Sequence, residues 1–258
     1  MDKKYFFFDI DGTLTETLQG KMQVPESTKL ALKKLEENGH FLAIATGRSY
    51  AMSKDIMKFL GFHNMVSDGG HGVTINDELL GIEPLNFEDC CALYEECEAK
   101  GIPVGISVTD ELHRLVPDHR FQQQTQDIYL QSIVVPGLNP RNYDKIYKMY
   151  VACLPGVEQK LETLKALPWC RFWDAYIFVE PGDKSKGIKK IMDYFGGDYK
   201  DVVVFGDQKN DLSMFRDEWT SIAMGNAVDE LKEKADFVTK DINEDGIYYA
   251  CKKFGWIE

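Results

Sequence analysis

The sequence lacks the features that mark membrane, zinc-binding or nucleic-acid-binding proteins. Its apolar stretches are far shorter than the roughly 20 residues of a transmembrane helix, and Asp9 ends the first of them too soon for a signal peptide. Its six cysteines include no Cys-x-x-Cys pair and no zinc spacing, which favours reduced thiols. The net charge is −12 with no basic block. We therefore expect a cytoplasmic protein without a membrane or nucleic-acid partner.

Four short apolar runs predict buried strands of a parallel sheet. Segments with helical periodicity, "PESTKLALKKLEENG" and "SYAMSKDIMKFLG", follow the first two runs, and strands that alternate with helices are typical of a parallel sheet. The predicted strands are Tyr5–Phe8, Phe41–Ala45, Met65–Ser67 and Val202–Phe205.

The middle of the chain has a different pattern. Hairpin pairs are predicted at "IPVGISVTDELHRLVP" and "WCRFWDAYIFVEP", and "NFEDCCALYEECEAKG" and "GVEQKLETLKAL" are predicted to be helices. With 258 residues, the chain is long enough for two domains. We predict a Rossmann-like α/β core formed by residues 1–82 and 182–258, with an antiparallel α/β domain inserted at 83–181.

Carboxylates follow two of the predicted core strands. Asp9 and Asp11 come directly after the first, and Asp207 and Asp211 follow the last, in "GDQKND". At about 4 Å, two such charges repel by roughly 4 kcal/mol at an effective dielectric constant near 20. Each aspartate alone is as typical of a turn or a helix cap, but four at one sheet edge indicate a divalent cation with oxygen ligands, Mg²⁺ first. A calcium loop starting at Asp9 is excluded, because its sixth position is Leu14 instead of glycine.

Four motifs, in this order, resemble those of one enzyme family. "FFFDIDGTL", "ATGR", "KSKG" and "GDQKNDLSMF" are similar to the motifs of the haloacid dehalogenase superfamily, and the inserted segment resembles its type-2 cap. The likeness covers essentially the whole chain and is greatest to the Cof-type (subclass IIB) sugar-phosphate phosphatases. It implies the fold of that superfamily.

The resemblance also implies catalytic roles for the clustered carboxylates. Asp9 would be the nucleophile that forms an aspartyl-phosphate, and Asp11 the general acid and then the general base. Mg²⁺ would be held by the Asp9 carboxylate, the Asp11 backbone carbonyl and the Asp207 carboxylate, with Asp211 in support.

The same resemblance implies a set of contacts to the phosphoryl group. They would come from Ile10, Thr46, Gly47 and Asn210, and from a lysine that is either Lys184 or Lys186. Both lysines lie at the start of a predicted helix, where a cation opposes the helix dipole and indicates a local anion. The family places its lysine directly before a glycine, which favours Lys186.

Two features that depart from the family or lie in the insert have open interpretations. The loop "SDGGHG" stands where many relatives have Asn-Gly-Ala, and its His71 is either a substrate contact or a solvated loop residue. Arg171, at a predicted hairpin turn, is either a substrate contact or an ordinary surface arginine.

The predicted function is a Mg²⁺-dependent phosphatase of small phosphorylated metabolites, most plausibly sugar phosphates, acting as a monomer or weak homodimer. One alternative is a phosphotransferase or phosphomutase on the same fold. Another is a sensor that binds a phosphosugar without catalysis, although binding alone does not require both Asp9 and Asp11.

Overall fold

The computed structural model describes residues 2–18 and 21–258. Strands and helices alternate at the start of the chain where the apolar runs predict them. In chain order the elements are β1 (Tyr5–Phe8), β2 (Glu16–Leu18), β3 (Lys21–Gln23), α1 (Glu26–Glu37), β4 (Phe41–Ala45), α2 (Tyr50–Phe59), β5 (Met65–Ser67), β6 (Gly72–Ile75) and β7 (Glu78–Ile82).

The middle segment consists of short strands and few helices. Its elements are α3 (Phe87–Ala99), β8 (Val104–Ser107), β9 (His113–Val116), α4 (Arg120–Thr125), β10 (Gln131–Val134), β11 (Lys148–Val151), β12 (Trp169–Trp173) and β13 (Tyr176–Val179). The helix predicted at "GVEQKLETLKAL" is wrong. Two 3-10 turns, Glu158–Lys160 and Thr163–Ala166, form there instead, because the buried Leu161 between them is extended.

The last part of the chain returns to alternating helices and strands. It contains α5 (Lys184–Phe195), β14 (Val202–Gly206), β15 (Thr220–Ala223), α6 (Asp229–Lys234), β16 (Phe237–Val238) and α7 (Gly246–Lys253).

Two large sheets organise most of these elements, and β2 and β3 form a separate two-stranded antiparallel sheet. The larger has the order β16-β15-β14-β1-β4-β5-β6-β7 and is parallel from β16 to β5, with β6 antiparallel to β5. Helix α1 packs on α7 and β4, and α5 packs on β5 and β6. The other sheet, β10-β9-β8-β11-β13-β12, is largely antiparallel. The four core strands predicted from the sequence are confirmed.

The chain divides into two units along these sheets. The first unit runs as far as Arg48 and adds Ser53–Gly81 and Asp183–Glu258, while the second comprises Ser49–Met52 and Ile82–Gly182. In the first unit the strands β1, β4 and β14 carry side chains that are almost wholly buried, so the core lies around them. Among the described residues, no helix combines the length and apolar character needed to cross a membrane.

Candidate active site

Parallel pairing places the ends of β1 and β14 side by side. Phe8 is paired with Phe205, and the backbone N–H of Asp9 donates to the Phe205 carbonyl at 3.0 Å. The carboxyl ends of parallel strands share one edge of a sheet, so Asp9 and Asp207 lie at the same edge. Both side chains are almost completely buried.

A lysine from a distant part of the chain joins the carboxylates at this edge. The Lys184 Nζ donates to Asp9 Oδ1 at 2.7 Å and to Asp211 Oδ1 at 2.6 Å, and its side chain is only 1% exposed. Helix α5 begins at Lys184, and the Asp183 side chain caps it by accepting from the Ser185 N–H. The cap fixes the start of the helix and, with it, the position from which the lysine extends.

The structure corrects the choice between the two candidate lysines. Lys184 contacts the aspartates, whereas Lys186 lies two positions further along α5 and is exposed. Positions two apart on a helix are about 200° apart around its axis, so both side chains cannot point into one site. The structure therefore places Lys184, and not the predicted Lys186, beside the aspartates.

Asp211 is occupied by protein hydrogen bonds on both of its oxygens. Its Oδ1 accepts from Lys184, and its Oδ2 accepts from the backbone N–H groups of Asp207 at 2.8 Å and Gln208 at 3.0 Å. In Asp9, by contrast, hydrogen bonds from the described residues reach Oδ1 and none is present at Oδ2. Both oxygens of Asp211 are therefore engaged by neighbouring groups, while Asp9 has one oxygen to which no described residue donates a hydrogen bond.

Asp207 is held by the turn that follows β1. The Thr13 hydroxyl donates to Asp207 Oδ1 at 2.9 Å. Gly12 lies against the other oxygen: a Cβ at Gly12 would stand 2.2 Å from Asp207 Oδ2. Gly12 also has φ of +85°, a left-handed conformation that other residues adopt at a cost. Both the backbone conformation and the space require glycine here.

The carboxylates of this cluster are buried close to one another, and their negative charge is only partly compensated. Burial raises the pKa of Asp9 to about 8, with Lys184 opposing the shift and Asp211 adding to it. Burial and the Asp211 charge likewise raise the pKa of Asp207 to about 6. For Lys184, burial alone would lower the pKa, but the charges of Asp211 and Asp9 raise it overall. The lysine is charged, but one ammonium in contact with Asp9 and Asp211 stands among three buried aspartates.

The donor set fits a divalent cation with a preference for oxygen. Asp9, Asp207 and Asp211 are all buried, and each has a carboxylate oxygen within 4.8 Å of those of the other two. Carboxylate oxygens are hard ligands that suit Mg²⁺, and a dication would supply the missing positive charge. Because the oxygens of Asp211 are hydrogen-bonded, Asp9 and Asp207 are the side chains best placed as direct ligands.

Asp11 stands apart from this buried cluster. Its side chain is exposed, and its carboxylate forms a two-point ion pair with Arg48, with Arg48 Nε to Oδ2 and Nη2 to Oδ1 both at 2.8 Å. The side chain is therefore no member of the metal-binding group, although the metal role predicted for Asp11 uses its backbone carbonyl. Nothing in the sequence indicated that the arginine of "ATGR", Arg48, would pair with Asp11.

The other predicted phosphate contacts surround the same edge. Thr46, directly after β4, is buried, and its hydroxyl accepts from the Arg48 N–H at 3.1 Å. A Cβ at Gly47 would be 3.7 Å from the Asn210 side-chain nitrogen, so these two residues are neighbours. The Ile10 carbonyl accepts from the N–H groups of residues 14 and 15, which closes the turn after β1. Of the predicted residues, the structure brings Asp9, Asp207 and Asp211 together and places Gly47 beside Asn210.

Two contacts near α5 were missed by the sequence reasoning. The Ser213 hydroxyl accepts from the Lys184 N–H at 3.1 Å and so helps to hold the start of the helix. The "SDGGHG" loop also approaches this helix, since a Cβ at Gly70 would be 2.0 Å from the Asp183 carbonyl. The glycine cluster was a visible signal of close backbone approach, whereas the serine gave none.

Comparison with known proteins places the chain in a family. The model of the haloacid dehalogenase-like hydrolases matches residues 6–251. The protein YkrA of Bacillus subtilis is 34% identical over 262 residues, which covers 100% of both chains.

Solved structures give the same result. A hypothetical protein from Geobacillus kaustophilus superposes with a TM-score of 0.83 at 33% identity, over 99% of this chain and 100% of the other. BT4131, described as a sugar phosphatase of haloacid dehalogenase subclass IIB, superposes with a TM-score of 0.75 at 29% identity. The superposition covers 99% of this chain and 100% of BT4131. The predicted fold class and enzyme class, a phosphoric monoester hydrolase, are thereby confirmed. The chain belongs to the haloacid dehalogenase-like hydrolases.

Proposed function

We propose that the protein is a Mg²⁺-dependent phosphatase that hydrolyses small phosphorylated metabolites, sugar phosphates above all, through an aspartyl-phosphate on Asp9. The observation that carries the proposal is the state of the Asp9 carboxylate. One of its oxygens is fixed by Lys184, the other is left without a hydrogen bond from the described residues, and a carboxylate oxygen of Asp207 lies within 4.8 Å of the group. The description of BT4131 as a sugar phosphatase supports the substrate class.

In the first step the Asp9 carboxylate forms a bond to phosphorus while the ester P–O bond breaks. The leaving oxygen takes a proton from Asp11 in its acid form. Asp11 must leave its ion pair with Arg48 to carry that proton, which ties proton transfer to a movement of one exposed side chain.

In the second step Asp11, now a carboxylate, takes a proton from water. The water oxygen bonds to phosphorus, the P–O bond to Asp9 breaks, and inorganic phosphate leaves with the Asp9 carboxylate restored. Because Asp11 gives one proton to the leaving oxygen and takes another from water, it ends in its starting form and the cycle closes without another acid or base.

In both steps the remaining residues would bind the metal ion, position the Asp9 carboxylate or donate hydrogen bonds to the phosphoryl group. Mg²⁺ bound by Asp9, Asp207 and the Asp11 carbonyl would neutralise the phosphoryl oxygens and favour the ionised form of Asp9. Lys184 would hold the attacking carboxylate, and Asp211 would hold Lys184. Thr46, Asn210 and the backbone at residues 10 and 47 would donate to the phosphoryl oxygens.

We further propose a cytoplasmic monomer or weak homodimer. The six cysteines are free thiols in the described structure, which suits a reducing compartment.

Phosphate release from a panel of hexose, pentose and polyol phosphates, with Mg²⁺ and with EDTA, tests the proposal. We expect release that requires Mg²⁺ and no second substrate. Transfer of the phosphoryl group to an added acceptor sugar, with no release of inorganic phosphate, would indicate a phosphotransferase. Binding of phosphosugars without any release would indicate a sensor.

A further inference from the structure

An asparagine from the loop after β15 reaches the turn that follows β1. The Asn226 Nδ2 donates to the Gly12 carbonyl at 2.8 Å, and the Asn226 Oδ1 accepts from the Ile242 N–H at 3.0 Å. A carbonyl only accepts and a backbone N–H only donates, so these two partners fix which end of the amide faces Gly12. Asn226 therefore presents a donor to the turn, although it lies outside every motif that the sequence analysis singled out.

Glycine is required at position 12, and it brings backbone freedom with it. A Cβ there would stand 2.2 Å from Asp207 Oδ2, yet a glycine backbone has more conformational freedom than that of any other residue. Hydrogen bonds on both sides of Gly12 remove this freedom. Its N–H donates to the Thr15 carbonyl at 2.7 Å, which fixes the peptide before it. Its own carbonyl accepts from Asn226, which fixes the peptide after it.

Both of these peptides belong to the candidate metal site. The peptide before Gly12 contains the Asp11 carbonyl, which is a proposed ligand. The peptide after it leads to Thr13, whose hydroxyl donates to Asp207 Oδ1 at 2.9 Å. Rotation of either peptide would move the carbonyl oxygen or the Asp207 carboxylate. Groups that orient metal ligands in this way typically change metal affinity by roughly 10–100-fold when they are removed.

Backbone hydrogen bonds tie the loop of Asn226 to the end of β14. The Met224 N–H donates to the Gly206 carbonyl at 3.0 Å, and the Val228 N–H donates to the Asp207 carbonyl at 2.9 Å. Asn226 lies midway between these two anchors in the sequence. The same loop therefore holds the backbone of Asp207 and, through the Asn226 side chain, the turn after β1. It sets the spacing between the two halves of the metal site.

We propose that Asn226 is a positioning residue of the metal site, whose amide holds the turn after β1 in the arrangement with Asp207 that binding of Mg²⁺ requires. The inference rests on the proposed Mg²⁺-dependent function, but it concerns binding of the metal and not the chemical step. Asn226 has no contact with the reacting atoms in this assignment. Mg²⁺ binding in the absence of substrate therefore tests it.

Asn226→Asp removes the donor and retains the shape of the side chain. One carboxylate oxygen still accepts from the Ile242 N–H, but the other meets the Gly12 carbonyl, and two acceptors cannot form a hydrogen bond. The added negative charge by itself would attract Mg²⁺. Weaker binding in this variant therefore reports the lost hydrogen bond and not the change of charge. Asn226→Ala, which removes the donor without adding a charge, is the second variant.

Asn243→Asp is the matched control. Asn243 follows Ile242 directly, is exposed, and has a side chain that forms no hydrogen bond within the described part of the chain. The substitution adds the same charge to the same region and leaves the contact between Asn226 and Gly12 intact. We expect its Kd for Mg²⁺ to stay within about twofold of the wild-type value, because an exposed charge is screened by salt.

Isothermal titration calorimetry with magnesium chloride, without substrate, measures the Kd. We expect Asn226→Asp and Asn226→Ala to raise it by roughly tenfold, and the Mg²⁺ concentration for half-maximal phosphate release to rise in parallel. Urea unfolding in EDTA establishes that each variant is folded before titration. A hydrogen bond with a purely structural role would lower the urea midpoint and leave the Kd of the folded protein unchanged.

The outcomes separate this inference from the proposed function. It is overturned if either folded variant binds Mg²⁺ with the wild-type Kd, if Asn243→Asp weakens binding equally, or if neither variant folds. A wild-type protein that binds no Mg²⁺ overturns it together with the Mg²⁺ dependence of the proposed function. Mg²⁺ binding without phosphate release from any ester refutes the phosphatase alone, and a raised Kd in the two variants then still supports the role of Asn226.

Discussion

The buried ion pairs of Lys184 allow a sharp test of the site. Replacing Lys184 with methionine keeps most of the aliphatic chain and removes the ammonium that contacts Asp9 and Asp211. At 2.6 Å and an effective dielectric constant near 20, the contact with the Asp211 carboxylate alone is worth roughly 6 kcal/mol before desolvation is counted. Removing one partner of a buried pair costs about 3–5 kcal/mol net, because the remaining charges stay buried and unpaired.

We therefore expect Lys184→Met to lower the free energy of unfolding by ~3 kcal/mol in EDTA at neutral pH. For a slope near 2 kcal/mol per molar urea, the midpoint falls by about 1.5 M. Mg²⁺ should restore part of the loss in the variant, since it supplies positive charge to the same carboxylates. Phosphatase activity should fall by roughly a hundredfold or more.

Lys186→Met is the matched control on the same helix. Because Lys186 is exposed, its removal should change the free energy of unfolding by no more than about 0.5 kcal/mol and leave phosphate release near the wild-type rate. The reasoning would be refuted if Lys184→Met unfolded at the same urea concentration as the wild type and kept its turnover rate. It would also be refuted if Lys184→Met and Lys186→Met lost equal amounts of stability and activity.

Three further substitutions test other parts of the account. Gly12→Ala places a methyl group 2.2 Å from Asp207 Oδ2 at a positive φ, so Mg²⁺-dependent activity should fall at least tenfold; wild-type kinetics would contradict the assigned role of this glycine. Asp211→Asn keeps the shape but removes a charge that holds Lys184, and it should raise the Mg²⁺ concentration needed for half-maximal activity; an unchanged requirement would show that Asp211 does not organise the site. Partial burial would raise the pKa of Glu96, but hydrogen bonds from Lys100 and Thr163 outweigh it and lower that pKa to about 2. A lowered carboxyl pKa stabilises the fold above the unfolded pKa near 4.3 and ceases to do so as the pH falls towards 2. Glu96→Gln should therefore cost about 1–2 kcal/mol at pH 7, and the difference from wild type in urea unfolding should shrink by pH 3; a difference independent of pH would contradict the assignment.

The parallel core could be predicted from the sequence because its signals are local. Each of its four predicted strands is an apolar run that ends at a small or polar residue, and the strands lie where the runs do. The helix predicted at residues 156–167 failed for the opposite reason. Its apolar spacing fits a helix, but burial of Leu161 depends on the packing of the second unit, which periodicity does not express.

Which residues form the site could be predicted better from the sequence than which of their side chains contact one another. The aspartates could be placed together because parallel strands put their carboxyl ends at one edge. Whether Lys184 or Lys186 points towards the aspartates depends on the residue at which α5 begins. If the helix began two residues later, the other lysine would point there. The pairing of Asp11 with Arg48 joins residues 37 positions apart, and the sequence contains no signal of it.

A covalent phosphoryl group on Asp9 is the central claim, and mass spectrometry of the enzyme quenched in acid during turnover tests it most directly. With Mg²⁺ and a good sugar phosphate substrate, we expect the peptide that contains Asp9 to gain the mass of one phosphoryl group. With p-nitrophenyl phosphate, whose leaving group needs no proton from Asp11, the adduct should accumulate in Asp11→Asn, where water activation is lost, and it should be absent in Asp9→Asn. Turnover by Asp9→Asn at the wild-type rate, or an adduct on a different residue, would contradict the account.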